Sequence, residues 1–173
     1  MSDERADFER LFRDNYDAVF RFVARRVAPD AAQDVVAETF LAAWRRHGEL
    51  RGDALPWLLG VARRVSANHL RGDARRRALG DLLNAQRPER SCGGADTPSG
   101  VALALSRLSE RDREALMLVA WDGLEHRAAA TVMGCSTTAF TVRVHRARRR
   151  LKAALAADAH TTITIEEQAR SMS

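Results

Sequence analysis

The stretch that decides the fold is Leu124–Leu151, LEHRAAATVMGCSTTAFTVRVHRARRRL. It reads as two helices broken at Gly134-Cys135-Ser136, the second crowded with arginine. At about 100° per residue, Phe140, Val144, Ala147 and Leu151 fall on one narrow stripe, the side that buries against the preceding helix. On the opposite side lie Thr138, Thr141, Val142, His145 and Arg149, flanked by Arg143, Arg146, Arg148 and Arg150, and no acidic residue occurs from Ala139 to Ala157. A short helix, a glycine turn and a basic second helix make the helix-turn-helix plan, in which the second helix lies in the DNA major groove. A solvated arginine-rich surface is the competing reading. Such a surface needs no ordered polar face opposite an apolar stripe, so the pattern favours contact with DNA.

The chain has 173 residues, enough for one ordinary domain or two small ones, and its 46% hydrophobic and 29% charged residues mark it as globular. The formal net charge is +5, and all but one of its 28 basic residues are arginine. Arginine forks suit phosphates and guanine edges better than lysine does, so the balance favours a nucleic-acid partner. A GC-rich genome would give the same bias. The two cysteines, Cys92 and Cys135, lack metal-ligand spacing and read as ordinary reduced thiols. Since the N-terminus MSDERADFER is charged from its third residue and no long apolar run follows, a cytoplasmic protein without membrane insertion is expected. The sequence holds no Gly-rich phosphate loop, zinc-type cluster or nucleophile elbow. No catalytic residue, metal or cofactor is therefore expected.

Upstream, Phe8, Leu11, Phe12, Tyr16, Val19, Phe20, Val23 and Val27 recur at helical spacing and predict a long amphipathic first helix. Ala28-Pro29-Asp30 breaks it, and Asp30 with Gln33 is the expected N-cap pair of a second helix. That helix carries Val36, Phe40, Ala43 and Trp44 on one side and Asp34 with Glu38 on another. These two carboxylates suit docking or plain solvation, since no third polar group suggests a catalytic site. His47 to Pro56 reads as a loop; a third helix follows with Leu58, Leu59, Ala62, Val65 and Leu70 available for burial and Arg63, Arg64, Asn68 and Arg71 directed elsewhere. Residues 81–100, with their prolines and glycines, predict a flexible linker. Beyond it come a short helix over Val101–Leu108, a helix capped by Ser109 with Asp112 and ended by Gly123, and the helix-turn-helix. From residue 158 the helical periodicity fades, and the tail is expected to be disordered. The expected fold is all-α: two small helical domains, 1–80 and 101–157, joined by the linker.

The residues from Gln33 to Arg45, the run Arg51-Gly52-Asp53 with Pro56-Trp57-Leu58 and Ala62-Arg63, and the segment Leu108–Leu151 together resemble the sigma-70 family of RNA polymerase sigma factors, in its small extracytoplasmic-function (ECF) group. The resemblance covers roughly residues 5 to 155 in the family's order. It implies that 1–80 binds polymerase and the minus-ten element and that 101–157 binds the minus-thirty-five element. Asp34, Glu38, Phe40 and Trp44 would dock on the clamp helices of the largest polymerase subunit. Arg51, Asp53, Trp57, Arg63, Arg64, Asn68 and Arg71 would melt and read minus-ten DNA, Asn68 meeting a base edge and Arg63 and Arg71 holding the backbone. In the second domain, Thr141, Val142 and His145 would meet bases and Arg143 and Arg146 phosphates, with Thr138 and Arg149 on the same face. Further partners implied are the flap of the second-largest polymerase subunit, promoter DNA and an anti-sigma factor. Departures from the family pattern are Glu125 where relatives have a capping Ser or Thr, Ala128 where they have Glu, Thr141 where a basic residue is common and Arg64 where Asn is common. Two other readings compete: an operator-binding regulator that never joins polymerase, and an interaction protein that titrates polymerase or an anti-sigma factor. The regulator would have no need of the Gln33–Arg45 segment.

Overall fold

Pro29 sets the first corner of the molecule. It stands at the first position of a helix, where its missing N–H costs no hydrogen bond, and it holds Ala28 extended at φ −63°, ψ 149°. The cap is therefore Ala28 and not the expected Asp30, which lies one residue inside the first turn, where its charge suits the helix dipole. The computed structural model describes the backbone of residues 2–46, 53–83 and 100–171 and the side chains of 4–46, 53–78 and 100–157. Among these there are seven helices and no strand: α1 Ser2–Ala24, α2 Pro29–Trp44, α3 Ala54–Leu83, α4 Gly100–Ser106, α5 Glu110–Ala120, α6 His126–Met133 and α7 Thr137–Ser171. The all-α expectation is met, and the helices form two compact units, the first carried by α1–α3 and the second chiefly by α4–α7.

In the first unit each helix packs on the other two. The core takes Val19, Phe22 and Val23 from α1, Val35, Val36, Phe40 and Ala43 from α2, and Leu58, Leu59, Ala62 and Val65 from α3. Phe22, absent from the expected stripe, is fully buried because it follows Val19 by three residues. The guanidinium of Arg26 sits 3.5 Å from the centroid of its ring. Thr39 is buried without cost, since its hydroxyl donates to Val35 O at 2.7 Å. Two expected core residues lie outside: Phe12 is 40% exposed and Leu70 43% exposed. Phe12 meets only the edge of the core, through Phe40 at 4.6 Å between centroids.

Helix α3 begins earlier and ends later than the sequence suggests. Asp53 accepts the Leu55 N–H at 3.1 Å, and Pro56, expected in a loop, lies in the first turn, where proline is tolerated. The helix runs to Leu83, past the expected domain end at residue 80. The rest of the expected linker, residues 84–99, and the loop residues 47–52 lie outside the described residues.

In the second unit, α4 and α5 both pack on α7. Ser109 caps α5 as expected, its hydroxyl accepting the Asp112 N–H at 3.2 Å. Phe140, Val144 and Ala147 of α7 are buried with Ala115, Leu118 and Ala129, so the apolar stripe faces the core as its period requires. From residue 158, where the sequence predicts an unstructured tail, the backbone of α7 continues to Ser171. No glycine or proline interrupts the sequence from Thr137 to Ser171, and a helix already nucleated by packing propagates at little cost.

Candidate nucleic-acid interface

The turn before α7 is built from backbone. Gly134 adopts φ +65°, a conformation that favours glycine, and its N–H donates to Thr131 O at 3.1 Å. The Cys135 N–H reaches back to Ala130 O at 3.0 Å. These two bonds form a Schellman motif that ends α6. Ser136 then caps α7, its Oγ accepting the Ala139 N–H at 3.2 Å. Termination and restart within three residues leave α7 only one way to emerge, with Phe140 inward.

That orientation puts Thr138, Thr141, Val142, His145, Arg146 and Arg149 in solvent. Thr141, Val142, His145, Arg146, Arg149 and Arg150 line one open concavity along the helix. The face is cationic and amphipathic, suited to base edges in its middle and phosphates at its margins.

Two side chains from outside α7 brace this face. Asp112, only 4% exposed on α5, ion-pairs with Arg150 and stands 3.7 Å from Arg143. Arg143, expected as a phosphate contact, has a side chain 33% exposed that stands beside this carboxylate. Isolated in the interior, the carboxylate would be costly, and two guanidinium partners offset that cost. The second brace is His126, the first residue of α6. Its Nδ1 lies 3.0 Å from Thr141 Oγ1, and its ring stands edge-on to Phe140 at 5.6 Å.

The first unit presents two exposed faces. Along α2, Asp34, Glu38 and Leu41 follow one another at helical spacing in solvent, with Trp44, 45% exposed, at the edge against Phe8. Phe40, expected at the same interface, is buried and supports it from within, because its ring packs on Phe12 and Tyr16 of α1. Along α3, Trp57, Arg64, Asn68, Arg71 and Arg75 share one line, half-buried at Trp57 and exposed thereafter. Arg71 donates to Asn68 Oδ1 at 2.5 Å, leaving the Asn68 amide N–H groups to the outside. Arg63 is half-buried beside this line, Asp53 serves as the cap of α3, and Arg51 lies outside the described residues.

Residues 11–76 match the family model of sigma-70 region 2, and residues 100–151 match that of sigma-70 region 4. The chain is 34% identical over 153 residues to the ECF RNA polymerase sigma factor SigC of Mycobacterium tuberculosis, covering 84% of this chain and 81% of SigC. The chain belongs to the ECF sigma factors. It is also 34% identical over 162 residues to the ECF sigma factor BldN of Streptomyces coelicolor, of which it spans 61% while 88% of this chain is covered. The fold is similar to that of the sigma factor RpoE from Bartonella quintana, solved in complex with the anti-sigma factor NepR: TM-score 0.56, 25% identity, 88% of this chain and 98% of that one. The side chains bracing α7 that sequence reasoning missed are Asp112 and His126. Asp112 was visible only as a cap partner. Its ion pair with Arg150 spans 38 residues, and the His126–Thr141 bond spans 15, separations that no local period encodes.

Proposed function

We propose that this chain is a promoter-recognition subunit: it binds core RNA polymerase, directs it to a small set of promoters and opens the DNA there, without covalent chemistry of its own. The observation that carries the reading is three exposed faces in family order along one chain. These are the acidic and apolar strip of α2, the arginine–asparagine line of α3 and the reading face of α7. The α2 strip, with Asp34, Glu38 and Trp44, docks on the polymerase clamp helices, its charge complementing basic groups across the interface. The α3 line holds the melted minus-ten strand. Asn68 meets a flipped base, Trp57 stands by it, and Arg64 and Arg71 grip phosphates that help offset the few kcal/mol of unstacking.

In the second unit Thr141, Val142 and His145 read minus-thirty-five base edges, while Thr138, Arg146 and Arg149 hold the backbone. The same unit meets the flap of the second-largest subunit. A solved relative carries an anti-sigma factor, which supports a protein inhibitor of that class for this chain as well. Its place of action is the cytoplasm, where polymerase works, and no helix among the described residues is long and apolar enough to cross a membrane.

The test is reconstitution with core polymerase and a promoter library, with promoter-dependent transcripts as the expected result. No initiation, together with tight binding of a palindromic site by the chain alone, would replace this reading by that of a regulator. Asp34→Arg is expected to weaken core association about tenfold or more while leaving the thermal midpoint in place. Unchanged association would exclude the α2 strip as the docking face.

A further inference from the structure

A threonine on a helix can turn its hydroxyl back to the carbonyl four residues earlier, as Thr39 does on Val35. Thr141, in the middle of the reading face, instead meets His126 Nδ1 at 3.0 Å. The imidazole is held from two directions. It begins α6, whose far end is joined to α7 by the Schellman turn and the Ser136 cap, and its ring edge rests on the fully buried Phe140. Thr141 is β-branched, so its own rotamer choice is narrow. The bond therefore joins two side chains that each have little freedom.

A hydroxyl has one proton to donate and two lone pairs to offer, and a neutral imidazole nitrogen is either donor or acceptor. When Nδ1 accepts, the Thr141 proton is used inside the protein and the oxygen faces DNA as an acceptor, fit for adenine N6 or cytosine N4. When Nδ1 carries the proton, the Thr141 proton is free and the hydroxyl donates to guanine O6, N7 or thymine O4. We infer that His126 is a specificity-determining positioning residue, acting through Thr141 to set whether that hydroxyl reads a base edge as donor or as acceptor. This rests on the reading of α7 as the minus-thirty-five face. It adds a residue that lies on the other helix of the motif and outside the open face itself.

The experiment uses holoenzyme made with the full chain and a promoter library randomised in the upstream element. The variants are His126→Phe, Thr141→Val and both together. Phenylalanine keeps an aromatic edge for Phe140 and removes the nitrogen. Loss of one hydrogen bond that discriminates between bases predicts that Thr141→Val relaxes the preference at one base pair about fivefold. His126→Phe should relax the same base pair by a similar factor, with no change elsewhere, and the double variant should go no further than either single one. If His126→Phe leaves selection unchanged while Thr141→Val shifts it, His126 has no part in reading. If His126→Phe lowers affinity equally for every sequence and lowers the thermal midpoint, the histidine is only packing. If Thr141→Val itself changes nothing, the reading face is misplaced and the role of His126 falls with it.

Discussion

The two basic helices, α3 and α7, carry similar residue types and hold them in different ways. On α3 three polar contacts run along the helix itself: Arg71 to Asn68, His69 to Asp73 at 3.5 Å, and Arg76 to Asp73. On α7 they come from other helices, Asp112 from α5 and His126 from α6. A side chain braced by its own helix can exchange partners by rotating, whereas one braced across a domain is fixed by the domain's packing. The difference matches the proposed substrates. Duplex edges present a fixed pattern and reward a fixed reader, while a melted strand arrives in many shapes and needs an adaptable one.

The comparison can be broken at its strongest point by Asp112→Ala. The substitution leaves Arg143 without its buried carboxylate, and we expect the second unit to lose about 1–3 kcal/mol in urea unfolding. Below about 0.5 kcal/mol the brace would be ornamental. A middle-sized effect is expected from His145→Ala, which removes an exposed member of the proposed reading face. Selection at the upstream element should shift by a factor of about two to ten, with non-specific DNA affinity retained. An equal loss across all sequences would recast His145 as a phosphate contact. The smallest change belongs to α3. Asp73→Ala removes the partner of His69 and Arg76, and since these contacts are short-range helix pairs, it should cost under about 0.5 kcal/mol by the same unfolding assay. A loss as large as that at Asp112 would erase the contrast between the two helices.

What was legible in the sequence followed the same divide. The inward stripe of Phe140, Val144 and Ala147 is a property of one helix and its period, and the structure buries all three. The outward placement of Asp34, Glu38, Asn68 and Thr141 follows from the same arithmetic. Ser109 could be read because a cap is a contact over three residues. Asp112 with Arg150 and His126 with Thr141 could not, because two helices must first find their packing before those side chains meet. Phe40 and Trp44 show a subtler limit. Both belong to the proposed docking segment, yet the structure buries one and leaves the other half in solvent, a choice made by where α1 crosses α2. The start of α2 was misread for a local reason: Asp30 is a good capping residue, but a proline one position earlier had already set the helix. The course of α7 beyond residue 157 differs from the expected tail, since a fading apolar pattern is no stop signal without glycine or proline to enforce it.

The continuity of α7 carries its own consequence. Thirty-five residues at a rise of 1.5 Å each make a rod of about 52 Å that begins at the reading face. Along such a rod chain length is an angular coordinate, and each residue inserted or deleted turns everything beyond it by about 100°. The direction in which the far end points is thus indexed, like the hand of a dial, to the way Phe140 is seated at the near end.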